Sequence, residues 1–216
     1  QNVVIASATR TPIGCFQGAL SSLTASGLGA LVVRDAVKRA GATPEDVDTV
    51  IMGNVLSAGI GQAPARQCVI KADFPVSTSA VTVNKVCGSG LQAVMYARRE
   101  VMVGEADVVV AGGMESMTNA PYIIPKARAG LRLGNAEIVD SMVTDGLWDP
   151  YGNMHMGVCG DLVADRCNFT REDQDEFAAT SYRRALAAQK EGRFKPEIVP
   201  VSVPQRRGDP LQIEDD

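Results

Sequence analysis

A single histidine, His155, stands in 216 residues, which leaves no room for a metal centre built on several histidines. The five cysteines, Cys15, Cys68, Cys87, Cys159 and Cys167, are odd in number and widely spread, and none forms a CxxC pair. That pattern excludes a disulfide framework and a thiolate zinc site, and it points to free thiols in a reducing compartment. Aromatic residues are few, at 5%, and no excess of basic charge offers itself to nucleic acid or an anionic membrane, since the net charge is −4. No apolar run reaches the roughly 18 residues that a membrane span requires. The opening "QNVVIASATRTPIG" has neither a charged start nor a signal-like apolar block, and it reads as the beginning of a mature strand.

What is present is an alternation of strand and helix signals over the first 112 residues. "NVVIASA" (residues 2–8) reads as a buried strand. "ASGLGALVVRDAVKRAG" reads as a helix that places Leu28, Leu31, Val32 and Val37 on one face and ends at Gly41. "DTVIMGNV", "AVTVN" and "DVVVAGG" are further strands, separated by a short helix after "GIGQAP" and by a helix after Cys87. Strands apolar throughout, alternating with helices, predict an α/β fold: a mostly parallel sheet between helical layers. From Met114 to Tyr151 the chain turns rich in Gly, Pro, Asn and Met and predicts long loops with short elements. Thr170 then caps a long helix with Asp173 three residues on, "EIVPVSV" reads as a strand, and "GDPLQIEDD" as a polar turn.

The chemistry concentrates in "VTVNKVCGSGLQAVM" (residues 81–95), where a thiol stands at the joint of a strand and a helix. Unpaired N–H groups at a helix start carry partial positive charge and favour a thiolate, which makes Cys87 a candidate nucleophile. Gly88 and Gly90 leave room for a carbonyl to approach, as in the strand-to-helix elbow of serine hydrolases. Leu91, Val94, Met95, Val101 and Met102 make the helix behind it apolar and predict a buried support. The competing reading is that a free cysteine is a small core hydrophobe, and the other four cysteines take it by default. "GIGQAP" suggests a dinucleotide turn, but Pro64 replaces the third small residue and no suitable acid follows about 20 residues on.

Five blocks resemble the thiolases, and specifically the acetyl-CoA acetyltransferases, in order and spacing. They are "ATRTPIGCFQGALSSL", "MGNVLSAGIGQAPARQ", "NKVCGSGLQAV", "VVVAGGMESMTNAPY" and "YGNMHMGVCGD". The resemblance implies a layered α-β-α thiolase fold, with residues 1–117 as the nucleophile-bearing domain and 118–216 as an incomplete inserted loop domain. It implies that Cys87 accepts an acyl group and that its backbone N–H serves an oxyanion site. His155, Met156 and, less directly, Leu147 would contact coenzyme A, which is a substrate rather than a resident cofactor. The implied reaction joins two acetyl-CoA into acetoacetyl-CoA and CoA, or reverses it. A broad-range 3-ketoacyl-CoA thiolase, a ketoacyl synthase and a non-catalytic CoA- or lipid-binding relative stand as alternatives.

Family likeness further implies a homodimer or homotetramer, with a tetramerisation loop near "IIPKARAGLRLG", in bacterial cytoplasm or mitochondrial matrix. "GDLVADR" stands where the family often has Ala-Glu-Asn, a departure that can alter a loop contact near the pocket. The family's Gly-His-Pro base, second cysteine and Asn-Glu segment are absent from these 216 residues. The chain is therefore expected to be a half-length piece, inactive alone, that pairs with a C-terminal half.

Overall fold

The computed structural model describes residues 2–216. At its centre lies β1 (Thr49–Gly53), flanked by β2 (Ser79–Val83) on one side and β3 (Val109–Gly113) on the other. Both pairings are parallel and share a register, Thr49 lying opposite Ser79 and Val109. Val50, Ile51 and Met52 are all fully buried, as successive residues of a strand covered on both faces must be. The outer strands are only partly buried, so the expectation of uniformly buried strands holds for β1 alone. Helices α1 (Ala25–Arg39) and α2 (Pro64–Lys71) pack together on one face, and α3 (Ser89–Val103) lies against β1 and β3. This is the layered α-β-α arrangement the sequence predicts.

Thr24 starts α1 by accepting the Gly27 N–H on its hydroxyl. The buried face is Ala25, Ser26, Gly29, Ala30, Val33 and Val37, so of the expected stripe Leu28, Leu31, Val32 and Val37 only Val37 lies on it. Leu28 and Leu31 instead pack on a second cluster of Leu20, Val201 and Val203. Gly29 decides this. A Cβ there would lie 2.6 Å from Cys68 Sγ and 2.8 Å from Met114 Sδ, so only glycine lets the helix come this close. Burial pushes the Cys68 thiol up to about 12, which makes it an inert core residue as expected. Cys15 and Cys167 are exposed and Cys159 is half-buried, so the default core reading fails for them.

After β3 come the hairpin of β4 (Tyr122–Ile123) and β5 (Val139–Asp140), a π-helical turn Val143–Leu147, and the hairpin of β6 (Trp148–Asp149) and β7 (Met154–His155). Helices α4 (Met156–Cys167) and α5 (Arg171–Lys190) follow, the latter capped by the expected Thr170–Asp173 box. Next come β8 (Val201–Val203) and β9 (Leu211–Ile213), which pair antiparallel. The expected polar turn "GDPLQIEDD" is therefore one-third strand, at Leu211–Ile213. Its flanking acids hide the pattern, and Asp216 closes on Arg10 through two bonds of 2.6 and 2.7 Å.

Two further expectations are corrected. Residues 2–8 form no strand, and Val4 and Ile5 are 80% exposed. Ser7 and Thr9 donate their hydroxyls to Ala36 O and Val32 O on α1, and the first sheet-like pairing is a single bridge from Arg10 to Ile198. A β-branched run becomes a strand only where a neighbouring backbone accepts its N–H groups, and none does here among the described residues. Nor is α3 buried all round. Ser89, Gln92 and Ala93 face inward, while Leu91, Val94, Met95 and Met102 face out. Ser89 and Ala93 are small enough to let the helix approach a sheet that ends in glycine, and the large aliphatic residues are left on the far side.

Two outcomes test this packing. Gly29→Ala is expected to lower the unfolding free energy by about 1–3 kcal/mol in urea denaturation, through overpacking against two sulfurs. Asp48 accepts the Asp107 and Val108 N–H groups at 2.8 and 3.0 Å, which hold its carboxyl below the ordinary 3.8. A depressed folded value gives stability that is present above the unfolded value and is lost as pH falls through the folded one. Melting curves from pH 2 to 7 are therefore expected to fall less steeply on the acid side for Asp48→Asn than for the parent chain.

Candidate functional site

Strand β2 ends at Val83, and four residues, Asn84 to Cys87, carry the chain to Gly88, which caps α3. Val86 adopts φ +48° within this turn. A β-branched residue in the left-handed region is a true outlier, costing on the order of 1–3 kcal/mol unless its surroundings enforce it. Here they do. Asn84 Oδ1 accepts the Val86 N–H at 2.9 Å, and Ser89 Oγ donates to Val86 O at 2.6 Å while accepting the Lys85 N–H at 2.8 Å. The Gly88 and Ser89 N–H groups close the same turn onto Lys85 O and Val86 O.

The consequence is that Cys87 is turned outward. Its side chain is exposed, and it stands one residue before the cap, at the positive end of α3. Among the described residues its N–H donates to no acceptor. An accessible sulfur beside an uncommitted backbone donor is what an acyl transfer needs: a nucleophile, and a partner for the oxygen of the carbonyl it attacks.

This turn rests on glycine. A Cβ on Gly53, the last residue of β1, would lie 2.7 Å from Gly90 N and from Ser89 C and Cβ. One on Gly113, the last residue of β3, would lie 3.4 Å from Gly90 Cα. Gly90 itself lies less tightly, since a Cβ there would meet the Gly112 and Gly113 backbone at an ordinary 3.7 Å. Gly88 is on the open side, where a Cβ would meet nothing nearer than Lys85 O at 3.4 Å.

His155, Met156 and Leu147 converge on the β6–β7 hairpin. Trp148 pairs with His155 and Asp149 with Met154, and extending that register brings Leu147 level with Met156. His155 and Met156 are exposed and Leu147 is half-buried. The His155 Nδ1 accepts the Gly157 N–H at 3.0 Å and so caps α4, which leaves the proton of the neutral ring on Nε2. Among the described residues no hydrogen bond joins this hairpin to the Cys87 turn, but packing links them indirectly. A Cβ on Gly146 would lie 3.2 Å from Leu56 Cδ2, so Leu56, just beyond β1, lies against the residue preceding Leu147. Sequence reasoning missed Ser89. A serine two residues after a thiol in a turn is the only signal, and it becomes meaningful once the left-handed Val86 is seen. Among the described residues no group of three or more His, Cys, Asp or Glu could hold a metal ion.

The family model described as "Thiolase, N-terminal domain" matches residues 3–216. An acetyl-CoA acetyltransferase of Cupriavidus necator is 54% identical over 215 residues, spanning 100% of this chain and 55% of that protein. A cytosolic acetyl-CoA acetyltransferase of Gibberella zeae is 50% identical over 215 residues, spanning 99% of this chain and 54% of its own length. The chain thus spans about half the length of these curated relatives. The crystal structure of the Acat5 thiolase of Ascaris suum in complex with coenzyme A superposes with a TM-score of 0.90 at 42% identity, covering 93% of this chain and 52% of that one.

Ser89→Ala removes both hydroxyl bonds of the turn and leaves the Val86 strain less opposed. It is expected to slow carboxamidomethylation of Cys87 by iodoacetamide severalfold, read by mass spectrometry of the Cys87 peptide, and to cost about 1–3 kcal/mol of stability.

Proposed function

The chain belongs to the thiolase family through its N-terminal domain, and we propose on that basis that it carries the acyl-accepting half of an acetyl-CoA C-acetyltransferase. The observation that supports this best is the exposed Cys87 thiol at the start of α3, beside its own uncommitted N–H. In the proposed reaction the Cys87 sulfur attacks the thioester carbonyl of acetyl-CoA. The carbonyl oxygen takes up negative charge facing the Cys87 N–H, and the CoA thiolate leaves, so one thioester is exchanged for another. A second acetyl-CoA, deprotonated at its methyl carbon, attacks the acetyl-cysteine. Acetoacetyl-CoA forms and the Cys87 thiolate is released.

His155, Met156 and Leu147 read as a wall for the pantetheine end of CoA. His155 spends its Nδ1 on the cap of α4, which suits a contact residue and not the base that removes the methyl proton. Residues 1–117 would form the nucleophile domain and 118–216 the loop domain. A C-terminal half would supply the base and the second cysteine, and identical chains would assemble as dimers or tetramers. The match to a cytosolic relative supports a cytoplasmic setting, with acyl-CoA metabolism as the context.

Incubating the native polypeptide that carries these residues with isotopically labelled acetyl-CoA is expected to label Cys87 alone, and iodoacetamide treatment beforehand to abolish the label. An adduct elsewhere, or none, overturns the assignment. Residues 1–216 in isolation are expected to release no CoA from acetoacetyl-CoA, and measurable release contradicts the division of labour.

A further inference from the structure

Glu115 follows β3 by two residues and is half-buried where the three strands of the sheet end together. Its Oε1 accepts the Asn54 side-chain amide at 2.8 Å and the Leu56 N–H at 3.1 Å, and its Oε2 accepts the Val55 N–H at 2.8 Å. Asn54, 2% exposed, also donates its amide to Met114 O at 3.2 Å and its backbone N–H to Val83 O at 3.1 Å. The Met114 N–H reaches Gly53 O at 2.9 Å. One carboxylate and one amide therefore lace the ends of β1, β2 and β3. Burial pushes the Glu115 carboxyl up, and the Val55 and Leu56 N–H groups draw it partly back. A group so costly to bury points to a demand for fixed geometry at this edge.

Two things hang from this lacing. Gly53 and Gly113, on either side of it, seat the start of α3 below Cys87. Leu56, whose N–H Glu115 holds, packs against Gly146 beside Leu147. We propose that Glu115 is a positioning residue that fixes the separation between the Cys87 turn and the hairpin bearing Leu147, His155 and Met156. A thioester held by the hairpin then arrives with its carbonyl at the sulfur. This rests on the acyl-transfer reading above. The sheet supplies an internal control, because Asp48 laces the opposite ends of β1 and β3 by the same device, accepting the Asp107 and Val108 N–H groups.

The test compares Glu115→Ala, Glu115→Gln and Asp48→Ala in the native polypeptide that carries this chain. It reads the rate of Cys87 alkylation by iodoacetamide at fixed pH, and the rate of acetyl transfer to Cys87 against acetyl-CoA concentration. Glu115→Ala is expected to slow the alkylation severalfold, to lower the maximal acetylation rate at least about tenfold, and to raise the half-saturating acetyl-CoA concentration, since an ångström of misplacement can cost about a hundredfold. Glu115→Gln keeps the two bonds to Oε1 and loses that from Val55, so it is expected to fall between, and it carries the test if the alanine variant does not fold. Asp48→Ala is expected to melt earlier with both rates unchanged. A folded Glu115 variant with parental rates overturns the proposal, and so does an Asp48→Ala that lowers them equally. Should the parent polypeptide take no acetyl group, the acyl-transfer reading falls, while the alkylation arm still decides whether Glu115 sets the nucleophile turn.

Discussion

The start of α3 is pressed directly onto the end of β1, at a distance that only glycine at position 53 permits. A helix seated so low leaves just four residues to climb from β2 to its cap, and the climb forces Val86 into the left-handed region. That strain is tolerated because Asn84 and Ser89 bond both sides of the Val86 peptide. The outward aim of Cys87 follows from the same geometry. A looser contact between helix and sheet would permit a relaxed loop, and a relaxed loop would not fix the direction of one thiol.

Two cysteines on the two sides of the same sheet show how far environment outweighs residue type. Cys68 sits under α1 with its sulfur against Ser26 O and Met114, and burial pushes its thiol up to about 12. Cys87 stands exposed at a helix start. The first is held as a small hydrophobe, and the second is presented to whatever approaches the carboxyl edge of the strands. That edge is where ligands of open α/β sheets generally bind. Carboxylates brace both edges, Asp48 at one and Glu115 at the other, and each receives backbone N–H groups that the strand ladder leaves over.

The apolar surfaces left open have a common cause. Residues 2–8 and the outer face of α3 carry strand-forming and large aliphatic side chains with nothing against them among the described residues. Burial is a property of two surfaces, and a sequence pattern reports only one of them. Apolar patterning therefore overstates burial at both places. The chain spans about half the length of its curated relatives.

By itself the sequence determined the local order of events: where β1, β2 and β3 run, where α1, α3 and α5 begin, and that Cys87 stands at a strand-to-helix joint. Those features are written in short-range periodicity, caps and turn residues, which act over a few positions. It also placed Leu147, His155 and Met156 on one segment of chain. Only the tertiary structure decided which face of α1 is the core, because Gly29 matters through a sulfur 39 residues away at position 68. It likewise decided that Gly53 seats the start of α3, that Leu211–Ile213 is a strand, and that Ser89, Asn54 and Glu115 hold the site together. Each of those facts is a contact between residues distant in sequence or hidden in the bonding of a turn, and no linear pattern records which backbone groups remain to be paired.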